Sequence, residues 1–386
     1  MSVTAAKGFV AGAVHCGVRK QDTLDLAIVH STVPATGAGM FTVNRVQAAP
    51  VTVCKEHLEL SQPQAVVANS GVANAATGAQ GLADARAMAE AAAAKLGIAP
   101  EEVLVLSTGV IGAPLPVDEV VAGIDAFALG DDGDAAARAI MTTDTAPKQS
   151  VVHSQLGFTV GGMAKGSGMI HPCLATMLAV VTTDYPLDQG EAIAFLRPAV
   201  DASFNAISVD GECSTNDAVV LLANGASGVE RTAQSDAEFA AALRTVCGEL
   251  AKQIVADGEG ATVLAEIAVR GAADDAQARA IAERVATSPL VKTALYGHDA
   301  NWGRIAAAAG SARFDGGFAA LDPDRLTIVI DGVPVLVDGR PSGDEPELAN
   351  GHCEISLDLA IGDGAASYLT TDLSYDYVRI NAEYRS

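Results

Sequence analysis

The chain has 386 residues, a length that allows either one large α/β unit or two domains, each with a sizeable core. Its formal net charge of −23 argues against nucleic acid or an anionic membrane surface as a partner, because both would repel it. The sequence has no run of about eighteen apolar residues and no long apolar segment near the N-terminus. We therefore expect no membrane span, no secretory signal and a cytoplasmic location.

The residue composition also constrains the core and the redox environment. Hydrophobic residues make up 49% of the chain and aromatic residues only 4%, so Ala, Val, Leu and Ile must supply most of the packing. The cysteines are scattered and form no CxxC pair, a pattern typical of reduced, mostly buried thiols in a cytoplasm. They stand at positions 16, 54, 173, 213, 247 and 353.

The first part of the chain mixes predicted strands and helices. Runs rich in apolar and β-branched residues predict strands at 24–31, 39–53, 64–69, 103–107 and near 151–160. Ala-rich or amphipathic runs predict helices at 82–97, 118–128 and 134–141. The small and polar segment 69–78 predicts a loop in which the backbone can approach another group closely.

The second part continues this mixture. The apolar run 177–181 suits a buried strand, although a short buried helix has the same pattern. Further strands are predicted at 217–224 and 263–270, and helices at 187–200, 235–256, 275–286 and 303–309. From about residue 311, apolar and polar residues alternate between glycine turns, which indicates antiparallel strands, and 339–351 is predicted as an exposed loop. Because strands and helices do not strictly alternate, we predict a layered α+β fold with mostly antiparallel sheets sandwiched by helices, not a doubly wound nucleotide fold.

The segment 165–184, KGSGMIHPCLATMLAVVTTD, joins a glycine-rich loop to the apolar run. Ala175 and Thr176 stand at the junction. If the peptide bond before Thr176 were cut, its new α-amino group would have a pKa of about 8 and could take the hydroxyl proton as a base. Judged by its chemistry alone, a threonine after a glycine-rich loop is more often structural than catalytic.

Two further segments of the first part have the chemistry of a site. Thr108 and Gly109 follow a predicted buried strand, and their hydroxyl and backbone N–H groups could face a developing oxyanion or form an ordinary turn. Lys165 could bind a carboxylate as a compact charge or be solvated.

The second part supplies three more candidates. Glu259 lies between glycines, so its side chain could point into a cleft or belong to an exposed turn. Asn381 and Ser386 lie at the end of the chain, where fraying is common.

Metal and nucleotide motifs are weak in this sequence. His171 and Cys173 are two residues apart, but no second pair has metal-ligand spacing. The glycine-rich segment 161–168 lacks the spacing of a phosphate-binding loop, and no GxGxxG motif follows a predicted strand. We therefore expect neither a metal site nor a bound cofactor.

Together these segments resemble the ornithine acetyltransferase family, whose members cleave themselves at an Ala-Thr bond. Residues 165–178 match nearly intact a family pattern close to K-G-[AS]-G-M-I-x-P-x-[ML]-A-T-M-L. Many relatives have Asn or Asp where Cys173 stands. Other matching segments follow in the family's order: STGVIG at 107–112, MTTDTAPK at 141–148, DGECSTND at 210–217, ADGEG at 256–260, SPLVKTALYGHDANWGR at 288–304, and the last ten residues.

The resemblance implies roles for particular residues and a division of the chain. Autocatalytic cleavage between Ala175 and Thr176 would give an α-chain of 1–175 and a β-chain of 176–386, whose last part from about 311 is strand-rich. It implies an N-terminal-nucleophile-like fold with Thr176 as nucleophile and Thr108 and Gly109 as the oxyanion hole. The implied substrate contacts are Thr142, Lys165, Thr176, Glu259, Asn381 and Ser386.

The implied activity is transfer of acetyl from N-acetylornithine to glutamate through an acyl-threonine, in arginine biosynthesis and without a metal or bound cofactor. Some family members are bifunctional and also use acetyl-CoA, and the sequence leaves this open. The resemblance also implies an assembly of two α- and two β-chains. Two alternatives stay open: a related self-processing aminopeptidase or amidohydrolase, which would use serine, and an uncleaved paralogue retained for binding.

Overall fold

The computed structural model describes residues 2–20, 22–171, 177–348 and 351–383. Within this part the chain forms two compact units. The first unit contains Glu212–Ile254 and the described residues of Met1–Asn205. The second unit contains Ala206–Gly211 and the described residues of Val255–Tyr384. Neither unit is a continuous stretch, because the chain enters the second unit briefly after Asn205 and returns.

The strands and helices are numbered along the chain. The strands are β1 Phe9–Val14, β2 Leu26–Ser31, β3 Thr36–Phe41, β4 Ala65–Val72, β5 Val103–Val110, β6 Lys148–His153, β7 Thr159–Lys165, β8 Leu178–Thr183, β9 Ile207–Ser208, β10 Ala218–Ala223, β11 Val263–Ala272, β12 Arg313–Phe314, β13 Gly317–Phe318, β14 Thr327–Ile330, β15 Val333–Val337, β16 Arg340–Pro341, β17 Gly351–Asp358 and β18 Gly364–Thr371. The helices are α1 Ala49–Leu60, α2 Gly78–Leu96, α3 Val117–Ala126, α4 Gly133–Ala139, α5 Ala192–Asp201, α6 Ala233–Ala256, α7 Asp275–Ala286, α8 Pro289–Tyr296, α9 Trp302–Ala309 and α10 Tyr375–Glu383.

The first unit contains two sheets with a shared core. One has the strand order β1-β2-β4-β5 and the other β3-β10-β8-β7-β6. Alternate side chains of both sheets, such as Val29, Leu106 and Val180, form one buried apolar cluster. Since successive side chains of a strand point to opposite faces, the intervening residues of β2, β4 and β5 join a second cluster with α1, α2 and α3.

Helices cover the outer face of the five-stranded sheet as well. A side chain at Gly162 in β7 would meet Val246 and Leu250 of α6, so the helix packs closely on the strand. Rings from α5 and α6, Phe195 and Phe239, pack against each other, and Phe239 also stacks on Tyr185 just after β8. The first unit is therefore a four-layer sandwich of helices, two sheets and helices.

The second unit has one seven-stranded sheet of order β16-β15-β14-β17-β11-β18-β9. Its interior strand β11 alternates buried and partly exposed residues, with Val263, Ala265 and Ile267 facing the core. Helices α7, α8 and α9 contribute to the same core. This sheet therefore buries one face more deeply than the other, as mixed and antiparallel sheets commonly do.

The predicted layered α+β fold with mostly antiparallel sheets is confirmed. The parallel pairs are β4 with β5, β8 with β10, β11 with β17 and β9 with β18. The apolar run after Thr176 is the strand β8, not a helix. The predicted division at residue 175 is a cleavage of the backbone, not a boundary between structural units. The two units therefore do not test it, and it stays a prediction.

Several predicted elements were wrong or missed. The strand predicted at 39–53 ends at Phe41, and its second half is the start of α1, with Pro50 in the first helical turn. The single strand predicted near 151–160 is the hairpin of β6 and β7. Helices α8 and α10 were not predicted, and α10 lies within the part that was predicted as strand-rich.

No helix in the described part of the chain is long and apolar enough to cross a membrane. The described cysteines are free thiols. Burial raises the pKa of Cys54 and of Cys247 to about 12, so both are protonated at neutral pH. These thiols behave as small apolar groups of the core.

Candidate active site

The predicted site residues fall into three groups. In the first unit lie Thr108, Gly109, Thr142 and Lys165, and in the second unit lie Glu259 and Asn381. The residues Ala175, Thr176 and Ser386 lie outside the described part of the chain, as does Cys173. Within each of the two units, the structure brings predicted site residues together.

Thr108 and Gly109 lie near the end of β5, where it pairs with β4 in parallel and the register shifts at Gly71 and Val72. Gly109 has a φ of 132°, in the region that favours glycine. A Cβ atom at Gly109 would lie 2.2 Å from the backbone carbon of Gly71. The two strands therefore approach so closely at this point that only glycine fits.

A buried polar network holds the backbone around Thr108. The Ser107 hydroxyl donates to Asn69 Oδ1 at 2.6 Å, and Asn69 Nδ2 donates to the Val72 carbonyl at 2.9 Å. Asn216 Nδ2 donates to the carbonyls of Ser107 and Ala73, at 2.9 and 2.6 Å. These bonds fix the end of β5 from both sides. The sequence indicated a close backbone approach at 69–78, but it did not single out Asn216.

Lys165 is the last residue of β7 and is buried, with only 2% of its surface exposed. Its Nζ donates a hydrogen bond to Thr108 Oγ1 at 3.2 Å. The two residues belong to different sheets, so this bond joins the ends of the two sheets of the first unit. The alternative that Lys165 is a solvated loop lysine is wrong.

Asp144 links the loop that carries Thr142 to the loop that follows Lys165. Its Oδ2 accepts the Thr142 N–H at 2.9 Å, and its Oδ1 accepts the Gly166 N–H at 2.7 Å. Lys148 Nζ donates to the same Oδ1 at 2.6 Å in a buried ion pair. A second bond between the loops joins the hydroxyls of Thr143 and Ser167 at 2.7 Å.

The ionisation of Asp144 follows from opposing effects. Burial alone would raise its pKa, but the positive charges of Lys165 and Lys148 and the hydrogen bonds to the carboxylate outweigh burial and lower the pKa to about 2. Asp144 is therefore a carboxylate throughout the neutral range. Asp144 was not among the predicted site residues, although it lies in the MTTDTAPK segment.

The Asp217 side chain is fully buried and contacts the backbone of Met177, the residue after Thr176. Its Oδ1 accepts the Met177 N–H at 3.2 Å, whereas Oδ2 has no hydrogen-bond partner among the described residues. Burial raises the pKa of Asp217 well above its usual range. A buried carboxyl costs stability when it is ionised.

Replacing Asp217 with Asn should stabilise the protein at alkaline pH. Because the folded-state pKa of Asp217 is raised, its contribution to stability is fully present below a pH of about 4, where the carboxyl of the unfolded chain is also protonated. That contribution is lost as the pH rises through the folded-state pKa. Asn is neutral at every pH and can keep the bond to Met177. We expect the midpoint of thermal unfolding of Asp217→Asn to rise by a few degrees at pH 8 and to change little at pH 4.5. An equal fall at both pH values would contradict this.

Asp144→Asn provides the matched control for that measurement. The pKa of Asp144 is lowered, so its contribution is present above the unfolded pKa and is lost as pH falls through about 2. Neutralising Asp144 should therefore lower the midpoint at pH 8, opposite in sign to the effect at Asp217.

In the second unit, Glu259 and Asn381 are in direct contact. Asn381 Nδ2 donates to Glu259 Oε2 at 2.8 Å. The turn that carries Glu259 is anchored to the start of α10, because Ser374 Oγ donates to the Gly260 carbonyl at 2.6 Å and accepts the Tyr377 N–H at 3.1 Å. Ser374 is thus the N-cap of α10. Asn381 is part of this helix, not of a frayed end.

No group of three or more His, Cys, Asp or Glu residues in the described ranges is placed to hold a metal ion. The arrangement instead offers a buried lysine, a threonine hydroxyl and a tightly packed glycine in the first unit, and a carboxylate with a carboxamide in the second. Such groups suit acyl chemistry, in which an oxyanion must be stabilised.

A family model described as the ArgJ family matches residues 10–386. The chain is 47% identical over 395 residues to the arginine biosynthesis bifunctional protein ArgJ of Syntrophotalea carbinolica, covering 98% of this chain and 99% of the relative. It is 48% identical over 397 residues to the protein of the same name from Symbiobacterium thermophilum, covering 100% and 98%. The solved structure of an ornithine acetyltransferase complexed with ornithine from Mycobacterium tuberculosis is 46% identical and covers 44% of this chain and 94% of that chain. Its TM-score of 0.44 is too low to bear on the fold or the site.

Proposed function

The chain belongs to the ArgJ family, and on that basis we propose that it transfers acetyl from N-acetylornithine to glutamate in arginine biosynthesis. The observation that carries this proposal is the similarity to proteins named arginine biosynthesis bifunctional protein ArgJ, at 47% identity over 98% of the chain. The word bifunctional in that name extends the proposal to a second activity, acetylation of glutamate by acetyl-CoA. We propose that both reactions proceed without a metal or bound cofactor, in the cytoplasm.

The proposed nucleophile is Thr176, freed by cleavage of the bond to Ala175. The threonine hydroxyl oxygen would add to the Ala175 carbonyl carbon, the C–N bond would break, and the nitrogen would take up a proton to become the α-amine. Water would then hydrolyse the ester to leave a carboxylate on Ala175. Supporting this, β8 begins only two residues after Thr176 and is a central strand with every residue buried, a rigid base for a nucleophile.

Strand pairing supports the proposal that an α-chain of 1–175 and a β-chain of 176–386 remain together. In the five-stranded sheet, β3, β6 and β7 come from the proposed α-chain, and β8 and β10 come from the proposed β-chain. Backbone hydrogen bonds join β10 to β3 and β8 to β7. Cleavage would leave these pairs intact, so the fragments should separate only on denaturation. We extend the proposal to an assembly of two α- and two β-chains.

In acetyl transfer, the Thr176 oxygen would take the acetyl group from N-acetylornithine, release ornithine as an amine and pass the acetyl to the glutamate nitrogen. Thr108 and Gly109 would donate hydrogen bonds to the oxyanion of each tetrahedral intermediate. The proposed substrate contacts are Thr142, Lys165, Glu259, Asn381 and Ser386, with Thr176 itself. The negative charge of Glu259 suits the cationic side chain of ornithine.

The direct test incubates the purified protein with N-acetylornithine and glutamate and measures N-acetylglutamate and ornithine. Equal amounts of both products are expected, and a parallel reaction with acetyl-CoA and glutamate tests the second activity. Hydrolysis of small peptides without acetyl transfer would point instead to a self-processing aminopeptidase. No reaction with either substrate would indicate an uncleaved paralogue retained for binding.

A further inference from the structure

The bond from Lys165 to Thr108 changes what the threonine hydroxyl can do. A hydroxyl has one proton to donate and two lone pairs to accept. Lys165 Nζ donates to Thr108 Oγ1 at 3.2 Å, and both side chains are buried. Because an ammonium group has no lone pair, the Thr108 proton cannot point back at Lys165 and must be donated elsewhere. A charged donor on the oxygen also polarises the hydroxyl and strengthens its own donated bond.

Two carboxyl groups lie close enough to Lys165 to act on its buried charge. Asp144 and Asp217 both interact electrostatically with it, and Lys148 is the other cation at Asp144. Asp217 has a raised pKa because it is buried, so Asp144 is the group that carries a full negative charge at neutral pH. Without that charge, the buried cations Lys165 and Lys148 would both lose their attraction to Asp144.

Asp144 also fixes the backbone on which these groups stand. It accepts the N–H of Gly166, the residue directly after Lys165, at 2.7 Å. It accepts the N–H of Thr142, a proposed substrate contact, at 2.9 Å. One carboxylate therefore sets the position of the lysine and of the threonine loop together.

We propose that Asp144 is a positioning residue for acetyl transfer, whose buried carboxylate keeps Lys165 charged and directed at Thr108 so that the Thr108 hydroxyl donates to the oxyanion. This inference rests on the proposed function and assigns Lys165 a role in preparing the oxyanion hole, besides its proposed contact with substrate. Lys148 balances the buried charge of the same carboxylate and is not assigned this role.

The test compares Asp144→Asn with Lys148→Met, because each variant breaks the same buried ion pair from one side. Asp144→Asn removes the negative charge. We expect kcat to fall on the order of tenfold to a hundredfold, a smaller loss than complete removal of an oxyanion donor would cause. The alkaline limb of the pH–rate profile should move to lower pH, since loss of a nearby negative charge disfavours the charged form of Lys165. Lys148→Met keeps Asp144 and should retain kcat and the parental profile.

Equal losses of kcat in the two variants, with unchanged pH profiles, would show that the ion pair is only structural and would overturn the proposal. If Asp144→Asn does not fold, the double variant with Lys148→Met removes both charges of the ion pair and should show the same loss of kcat. Self-cleavage of newly made protein gives a readout that needs no acetyl donor, and Asp144→Asn should slow it. If the unsubstituted protein cleaves itself but transfers no acetyl, the proposed function is contradicted. A comparison of its cleavage rate with that of Asp144→Asn would still test the role of Asp144.

Discussion

Thr176→Ala should leave the chain whole and abolish acetyl transfer. Alanine has neither the hydroxyl that attacks the Ala175 carbonyl nor, without cleavage, a free α-amine to act as base. Denaturing electrophoresis and intact mass should show one species of 39.0 kDa, where the parent gives two fragments. Because the nucleophile and its base are both lost, we expect no transfer above background.

Two further variants define the specificity of that result. Thr176→Ser keeps a hydroxyl and should still cleave, although more slowly if the methyl group restricts the side chain. Thr245→Ala removes an exposed hydroxyl on α6 whose partner among the described residues is the Ala241 carbonyl, and it should cleave like the parent. Cleavage of Thr176→Ala at the parental position would remove the threonine from the mechanism.

Gly109→Ala is expected to have the second largest effect, because it alters both the fold and the oxyanion hole. The new Cβ would lie 2.2 and 2.4 Å from the carbonyl carbon and oxygen of Gly71 and 2.6 Å from the Val72 nitrogen. Backbone atoms of a paired strand cannot rotate away, so β4 and β5 would have to separate. We expect a loss of stability of about 3 kcal/mol or more and no self-cleavage in the protein that remains folded.

Gly112→Ala is a matched control in the same STGVIG segment. Gly112 also has a positive φ, 79°, but apart from its chain neighbours no heavy atom of the described residues lies within 4 Å of where its Cβ would stand. Its variant therefore measures only the cost of an L-residue in that backbone region, about 1 kcal/mol. Thermal unfolding and the rate of cleavage should separate the two variants. Similar midpoints and parental cleavage in both would contradict the account of the β4–β5 contact.

The fold was predictable where the period of apolar residues was clear. The helix predicted at 275–286 coincides with α7, which has a full amphipathic pattern and an Asp N-cap. The failure at 39–53 has a physical cause: Val51 and Val53 favour a strand by propensity, but they pack into the core from the first turns of α1. Tertiary packing outweighed local preference there. α10 was missed because it is short and has no buried residue to mark its period.

The site was less predictable than the fold. Resemblance selected Lys165 and Thr108, but only the structure shows that they bond to each other across two sheets. Asp144, Asn216 and Asp217 were not selected, because a polar residue in a sequence does not reveal whether it is buried or what it bonds to. All three lie within matched segments, Asp144 in MTTDTAPK and the other two in DGECSTND, which directly precedes the buried strand β10. Such supporting residues emerge only when the chain is folded.

The central claim is that Thr176 carries the acetyl group during transfer. The most direct measurement is the intact mass of the denatured fragments before and after brief exposure of the native protein to N-acetylornithine without glutamate. The fragment that begins at Thr176 should gain the mass of one acetyl group and lose it when glutamate is added, with N-acetylglutamate appearing in equal amount. Acetyl transfer at a normal rate with no acetylated fragment, or with an uncleaved chain, would contradict the acyl-threonine mechanism.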